Sequence, residues 1–246
     1  MLNEQTITKI ESLKLFGMAK ALKEWGTTSL HDELSHESFI GMLVDSEVAD
    51  RDNKRLIRYL KNARLKQPAC IEDIDWRHPR GLHKQTILEL ANCRWVGHHH
   101  NVLISGPTGV GKSYIACALG NTVCRNGLNV FYIRAPKLFT VLLQARADGT
   151  YLKYLAKIGR FNVLIIDDFG LAPMSDTERK DFMEVVEERN LIASTIITSQ
   201  VPIKDFYQII GDPTIADAIC DRLMHNAVKI ELKGESLRKK TKQTEN

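Results

Sequence analysis

The stretch NVLISGPTGVGKS, residues 101–113, carries the strongest structural signal in this chain. An apolar run leads into Gly106, Gly111, Lys112 and Ser113, which complete the pattern G-x-x-x-x-G-K-[ST]. Glycines allow the backbone to curl so that several N–H groups point at one set of phosphate oxygens, and a following helix adds the positive end of its dipole. The stretch therefore predicts a strand, a phosphate-binding loop and a helix, and hence a protein that binds a nucleoside triphosphate.

Separate roles are expected for the residues of this loop. Lys112 is expected to reach the β- and γ-phosphates, and the Ser113 hydroxyl is expected to bind Mg²⁺. The residues expected to hold the nucleotide are Gly106, Pro107, Thr108, Gly109, Val110, Gly111, Lys112, Ser113 and Tyr114. The alternative is a glycine-rich turn without a ligand, but the apolar strand before the loop and the amphipathic helix after it favour the nucleotide site.

From residue 101 onward, short apolar runs alternate with amphipathic segments. The predicted strands are Val102–Ser105, Val130–Ile133, Val163–Asp167, Thr195–Ser199 and Val228–Leu232. Helices are predicted to begin near Lys112, Pro136, Asp176 and Pro213. Buried runs separated by helices indicate an α/β fold with a five-stranded parallel sheet flanked by helices. Right-handed crossovers would then bring the carboxyl ends of the strands to one ligand-binding edge.

Polar side chains follow the predicted strands at that edge. Asp167 and Asp168 end the run Val163-Leu-Ile-Ile, and Gln200 follows Thr198-Ser199. Asp167 is expected to bind Mg²⁺ and Asp168 to polarise the attacking water, whereas the alternative is a strand that leaves the core through an acidic turn. Gln200 is expected to bond the γ-phosphate or that water, although polar residues are also ordinary at a sheet edge.

Two arginines near the end of the chain are further candidates for phosphate contacts. Arg222 lies on a predicted helix whose apolar side carries Ile215, Ile219 and Leu223, so we expect it to be exposed. It either pairs locally with Asp217 or Asp221, or reaches the γ-phosphate of a neighbouring subunit as an arginine finger. Arg238 belongs to a basic C-terminal tail and is the second candidate, with a solvated tail as the alternative.

The first 66 residues are predicted to be entirely helical, with Ser35 as a helix N-cap. Gln67-Pro68 is expected to end the last of these helices, and a linker follows before a further helix from His83 to about Trp95. The predicted domains are therefore a helical domain at 1–66, a linker at 67–82 and a nucleotide-binding domain at 83–246.

The last predicted helix of this domain carries a stripe of cations, with Asp52 as the single acid between Arg51 and Lys66. The stripe consists of Arg51, Lys54, Arg55, Arg58, Lys61 and Arg64. Such a one-sided stripe suits contacts with phosphate backbones, and since no recognition motif is present we expect sequence-tolerant binding of double-stranded DNA. A solvated helix face is the alternative.

Composition excludes several other classes of protein. The chain has 246 residues and a net charge of +4, and no apolar run approaches the roughly 18 residues of a membrane span. Five scattered cysteines without a C-x-x-C pair indicate reduced thiols in a cytoplasmic protein. The run His98-His99-His100 is expected to be solvated, because consecutive histidines cannot all face one ion. We therefore expect no metal besides Mg²⁺.

Several segments together resemble the IstB-like ATP-binding proteins, in the IstB/DnaC-like branch of the AAA+ ATPases. Beside the phosphate loop and the paired aspartates, they are Leu15-Phe-Gly-Met-Ala, Ala147-Asp-Gly, Gly211-Asp-Pro, Ala216-Asp-Ala-Ile-Cys-Asp-Arg-Leu and Gly234-Glu-Ser-Leu-Arg. The resemblance implies an AAA+ domain that oligomerises with ATP and Mg²⁺ at subunit junctions. Within it, Arg222 matches the arginine finger and Arg238 the second sensor.

The resemblance also implies DNA binding and bending, and activation of a partner transposase during insertion-sequence transposition. Gln200 departs from the more common Asn at the first sensor position, so we expect modest hydrolysis. A DnaC-type loader of the replicative helicase is the nearest alternative. A metabolic P-loop kinase is another, but the cation stripe and the surroundings of Arg222 speak against it.

Overall fold

The computed structural model describes residues 4–25 and 35–237. The chain divides into two compact units, Met1–Arg58 and Tyr59–Asn246. The predicted domain boundaries at residues 66 and 82 remain predictions. Among the described residues, every helix is too short or too polar to cross a membrane.

The described part of the first unit is helical, as predicted. Its helices are α1 (Glu4–Ser12), α2 (Phe16–Trp25) and α3 (His36–Ala63), the last of which continues into the second unit. The Ser35 hydroxyl accepts a hydrogen bond of 3.2 Å from the Ser38 N–H, so Ser35 caps α3 as expected. The helix ends before Gln67-Pro68, because Arg64 adopts a left-handed conformation with φ of 52°.

The segment Leu15-Phe-Gly-Met-Ala places α2 very close to α3. A Cβ on Gly17 would lie 2.4 Å from the Ser46 carbonyl oxygen, so a glycine is required there. The buried Glu47 carboxylate accepts hydrogen bonds from the Gly17 and Met18 N–H groups at 2.7 and 3.2 Å. It thereby satisfies backbone donors in the first turn of α2, which have no partner within the helix.

The second unit contains the predicted strands, each within one or two residues of the expected bounds. They are β1 (Asn101–Ser105), β2 (Val130–Arg134), β3 (Val163–Phe169), β4 (Ser194–Ser199) and β5 (Ala227–Glu231). All pairings are parallel, in the order β2-β3-β4-β1-β5. The five-stranded parallel sheet flanked by helices is therefore confirmed.

Helices cover both faces of this sheet. They are α4 (Lys84–Ala91), α5 (Arg94–Gly97), α6 (Lys112–Arg125), α7 (Ala135–Ala147), α8 (Tyr151–Gly159), α9 (Asp176–Glu187), α10 (Phe206–Ile210) and α11 (Pro213–Met224). One face packs Leu164 and Ile166 against residues such as Leu138 and Phe182. The alternate residue Ile165 lies on the other face, where α6 approaches closely at Gly120.

Helix starts follow from local capping. Ser175 and Glu178 form a reciprocal capping box at α9, and Asp212 caps α11 ahead of Pro213.

The predicted helix from His83 to Trp95 is wrong in one respect. It is broken between α4 and α5, because Cys93 is left-handed with φ of 57°. Helices α8 and α10 were not predicted.

Replacing Gly17 by alanine tests the contact between α2 and α3. The new methyl group would overlap the backbone of α3, so we expect local stability to fall by about 1–3 kcal/mol. Hydrogen exchange in residues 4–25 of the full-length protein should be correspondingly faster. Gly41→Ala is the matched control, since nothing lies within 4 Å of its added Cβ and alanine favours a helix interior. Equal exchange in the two variants would contradict this packing argument.

Candidate nucleotide site

The phosphate loop lies between β1 and α6, where the sequence predicts it. Gly106, Gly109 and Gly111 have φ angles of 145°, 85° and 98°, a region that disfavours other residues. A Cβ on Gly106 would also lie 2.3 Å from the Leu232 carbonyl oxygen. The loop therefore needs its glycines both for its backbone conformation and for space.

Lys112 folds back over this loop. Its ammonium group donates hydrogen bonds to the carbonyl oxygens of Gly106 and Pro107 at 2.6 and 2.8 Å, and the residue is only 7% exposed. Because the loop itself holds the ammonium, the positive charge is placed beside the backbone groups that would bind phosphate. The contact of Lys112 with the outer phosphates stays a prediction.

Asp167 is fully buried and accepts hydrogen bonds from several side chains. Ser113 donates to one carboxylate oxygen at 2.8 Å, and Lys66 donates to the other at 3.2 Å. Thr198 and Tyr132 donate as well. Burial opposes the charged form, but these hydrogen bonds and the charge of Lys66 outweigh it and lower the pKa of Asp167. The two expected Mg²⁺ ligands therefore lie together, with the carboxylate ionised.

Asp168 occupies a bulge at the end of β3. The register with β4 shifts between Ile166 and Phe169, and Asp168 is left-handed with φ of 60°. Its carboxylate lines a cavity of about 320 Å³ at the phosphate loop and accepts a 2.8 Å hydrogen bond from Arg134. Arg134 at the end of β2 is thus a site residue that sequence reasoning missed.

The same cavity brings Gln200 to the phosphate loop. The Gln200 amide oxygen accepts a 2.8 Å hydrogen bond from the Thr108 hydroxyl, and Gln200 is exposed. The ends of β1, β3 and β4 thus meet at one edge of the sheet, as predicted. Arg238 lies outside the described residues.

The cavity has a further wall that the sequence presents as a linker. Residues 67–82 have no helix or strand, yet Ile71 and Ile74 are buried and Arg80 is only 2% exposed. The Arg80 guanidinium donates to the Val110 carbonyl oxygen at 2.9 Å and to that of Asp75 at 3.1 Å. This segment is therefore packed against the phosphate loop.

These contacts hold the phosphate loop from outside. The Val110 carbonyl points at Arg80, and the Gly109 carbonyl accepts a 3.0 Å hydrogen bond from the Leu237 N–H. Since the carbonyl and N–H of a trans peptide point in opposite directions, the N–H groups of Val110 and Gly111 are turned the other way. Arg80 and Leu237 thus help to fix the donors that a phosphate would need.

Arg222 lies at the opposite end of β1 from the phosphate loop. The Asn101 side chain at the start of β1 donates to the carbonyl oxygens of Arg222 and Leu223 at 3.3 and 3.2 Å. The Arg222 guanidinium pairs with Glu187, rather than with Asp217 or Asp221 as the local alternative expected. Its side chain is 27% exposed, so it is less open to solvent than predicted.

The cation stripe on α3 is partly neutralised. Arg51 pairs with Glu47, Lys54 with Asp50, and Arg55 with Asp52. Two of these acids precede the stretch in which a single acid was counted, so the charge of the stripe is lower than the sequence suggests. The remaining members are exposed: Arg58 and Lys61 on α3, and Arg64, which lies just beyond the end of the helix and not on it as predicted.

Replacing Arg80 by methionine tests the support of the phosphate loop. The carbonyls of Val110 and Asp75 would lose a charged donor, worth about 1.5–3 kcal/mol per bond. We expect the affinity for ATP, measured by calorimetry, to fall roughly tenfold. Arg77→Met, in an exposed position of the same segment, should bind like the original protein. Unchanged affinity of a folded Arg80→Met protein would refute the supporting role.

Sequence comparisons identify relatives that are named as ATP-binding proteins. The family described as IstB-like ATP binding protein matches residues 8–245. A Sinorhizobium fredii protein named as an insertion sequence ATP-binding protein is 44% identical over 239 residues, covering 97% of this chain and 98% of that protein. A Pseudomonas fluorescens protein of insertion sequence IS1162, also named as ATP-binding, is 43% identical over 82% of this chain and 88% of its own length.

Solved structures share the fold. The DnaI structure has a TM-score of 0.57 at 23% identity, covering 68% of this chain and 95% of DnaI. The DnaC helicase loader has a TM-score of 0.54 at 19% identity, covering 67% of this chain and 97% of its own. At these identities the likeness concerns the AAA+ P-loop fold alone. The family match covers nearly the whole chain, and the Sinorhizobium relative is 44% identical along 97% of it. The chain therefore belongs to the IstB-like ATP-binding proteins of insertion sequences.

Proposed function

We propose that this protein is an AAA+ ATPase that assembles on DNA, with ATP held between subunits, and delivers or activates a partner transposase. The observation that carries the proposal is the position of Arg222. It lies at the amino end of β1, whereas the phosphate loop of the same chain follows the carboxyl end. An arginine that completes the site must therefore come from another copy of the chain.

The residues at the loop fit a nucleotide with Mg²⁺. The Ser113 hydroxyl and the ionised Asp167 are adjacent oxygen ligands of the kind that Mg²⁺ prefers. Mg²⁺ held by these two residues would neutralise part of the negative charge of the phosphates. Lys112 and the loop N–H groups hold the phosphates. The cavity also includes Lys66, which contributes a positive charge from the segment after α3.

Hydrolysis is assigned to side chains at the strand ends. Asp168 polarises the attacking water, and Arg134 holds the Asp168 carboxylate at the rim of the cavity. Gln200 contacts the water or the γ-phosphate. Its amide oxygen accepts the hydrogen bond from Thr108, which leaves the amide NH₂ group to donate to the phosphate or the water. The modest rate of hydrolysis is proposed from the presence of Gln200 in place of the more common Asn.

Distance argues for a site shared between subunits. β1 spans residues 101–105, roughly 13 Å at about 3.3 Å per residue, and Arg222 is fixed at its start. Leu191 borders the same surface depression as Arg222 and is 69% exposed, and its neighbour Ile192 is 66% exposed. A neighbouring copy would cover this apolar surface while it receives Arg222. Arg238 is proposed as the second sensor of the site.

DNA binding is assigned to the stripe on α3. Within the second unit, Lys61 and Arg64 are exposed, and Arg58 is exposed at the end of the first unit. Contacts of such cations with phosphates are independent of base sequence, so we propose sequence-tolerant binding and bending of double-stranded DNA. Residues 1–66 are the proposed DNA- and partner-binding domain, and 83–246 the ATPase domain, with 67–82 packed against its loop.

A helicase loader is the second candidate function, favoured by the likeness to the DnaC helicase loader. That likeness is one of fold, whereas the relatives at 43–44% identity are named for insertion sequences. The transposase partner is therefore preferred.

Mixing two inactive variants tests the shared site. Arg222→Ala lacks the finger but keeps its phosphate loop, and Lys112→Ala lacks the loop lysine but keeps its finger. We expect ATP hydrolysis to fall at least about 100-fold in each variant alone, since an arginine finger contributes about 10³–10⁵. The mixture should recover a substantial fraction, because some junctions combine the intact halves.

A mixture of Arg222→Ala with the double variant Lys112→Ala/Arg222→Ala is the control and should stay inactive. Failure of the first mixture to exceed the sum of its components would mean that Arg222 does not act across a junction. ATP binding by Arg222→Ala should remain close to that of the original protein.

Affinity capture distinguishes the two partners. The protein, with ATP and Mg²⁺, is immobilised and offered the transposase encoded beside it and, separately, the replicative helicase of the same cell. We expect retention of the transposase that depends on ATP and increases with duplex DNA. Retention of the helicase instead would favour the loader function and overturn the transposase proposal.

A further inference from the structure

A groove of about 360 Å³ runs along β2, one of the two edge strands of the sheet in the second unit. It shares none of its lining residues with the nucleotide cavity. The described residues that line it include no acid. Its cations are Arg64, Arg134, Lys137 and Lys157. The rest of the lining is apolar or aromatic.

Most of these cations are available to a ligand. All four are exposed, and Arg134 is paired with Asp168. The ion pairs within residues 4–25 and 35–237 include none of Arg64, Lys137 and Lys157. Three positive charges around one small groove repel one another, and an anionic ligand would relieve that repulsion. The charge pattern therefore points to a ligand with several negative charges.

Aromatic rings give the groove a second property. Tyr154 of α8 and Phe131 of β2 both line it and are partly exposed. Phe131 is already held by stacking on Phe161, with ring centroids 5.1 Å apart and planes 20° apart. Rigid rings beside free cations match the surfaces that bind single-stranded nucleic acid, on which bases stack and phosphates meet positive side chains.

We propose that this groove binds an unstacked stretch of a DNA strand, with its phosphates on Arg64, Lys137 and Lys157 and a base against Tyr154. The inference rests on the proposed DNA-binding function and gives it a second contact site. An acidic peptide would satisfy the cations, but it would leave the aromatic rings without a specific role. Arg64 belongs to both the groove and the proposed DNA stripe, which also favours DNA.

The proposed groove predicts a preference for strained DNA. Bending a duplex sharply opens base steps, and a bent site is favoured when the opened bases find new partners. A groove that accepts such a base would stabilise bent or opened DNA more than straight duplex. We therefore expect the groove to affect binding of single strands more than binding of intact duplex.

Fluorescence anisotropy with a labelled thymidine oligonucleotide tests the cations. The double variant Lys137→Ala/Lys157→Ala should bind it at least tenfold more weakly, and the salt slope should shrink by about 0.7 for each lost phosphate contact. Lys153→Ala is the matched control, because Lys153 is exposed on α8, the helix of Lys157, but does not line the groove. Binding of a duplex of equal length should change less than threefold.

Stacking is tested at Tyr154. An oligonucleotide that contains 2-aminopurine should lose fluorescence on binding, because stacking quenches this base. We expect Tyr154→Ala to abolish the quenching and to weaken binding roughly tenfold, whereas Tyr154→Phe retains both. Thermal unfolding of each variant, compared with that of the original protein, separates loss of the fold from loss of the contact.

The outcomes separate this inference from the proposed function. If the original protein binds neither single-stranded nor duplex DNA, the DNA-binding function fails and the groove proposal fails with it. If it binds DNA but the folded variants bind both forms like the original, the groove is overturned while DNA binding stands. If polyglutamate binds the original protein and Tyr154→Ala weakens that binding, but not the binding of DNA, the occupant is an acidic peptide.

Discussion

The buried carboxylate of Asp167 is the interaction on which the nucleotide site depends. An isolated charge in this position would be strongly disfavoured, because it is removed from water. Donors from separate segments compensate for that cost: Lys66, Tyr132, Ser113 and Thr198. They come from the chain after α3, from β2, from α6 and from β4. One anion therefore joins the neighbouring strands, the start of the phosphate-loop helix and the segment that follows α3.

The bulge in β3 follows from the same constraint. Side chains alternate along a strand, so regular pairing would turn the residue after Asp167 into the apolar face opposite α6. A carboxylate there would be buried among the large side chains of that core. Instead, the bulge turns Asp168 toward the cavity and Arg134, and Phe169 takes the buried place with 1% exposure. Two adjacent acids can thus have different environments, in line with the separate roles proposed for them in metal binding and water activation.

What could be predicted from the sequence was local, and what could not depended on contacts between distant segments. Strands and loop were predictable because apolar runs and the glycine–lysine pattern act within a few residues. Arg80 stands between Pro79 and Gly81, and nothing in that setting distinguishes a buried arginine from a solvated one. The pairs of Arg134 with Asp168 and of Arg222 with Glu187 join elements that meet only after folding. The charge of α3 was overestimated because acids one turn upstream were left out.

The pairing of Arg222 with Glu187 has a consequence for assembly under the proposed function. In the single chain the Arg222 guanidinium already has an anionic partner, so contact with a neighbouring phosphate loop that holds no nucleotide would add little stabilisation. A γ-phosphate offers more charge and more acceptors, and can therefore replace Glu187. ATP binding and assembly are then linked. If a junction binds ATP more tightly than a single subunit does, ATP stabilises the junction by the same free energy. In the proposed assembly, Glu187 would thus make association conditional on nucleotide, rather than on the presence of the arginine alone.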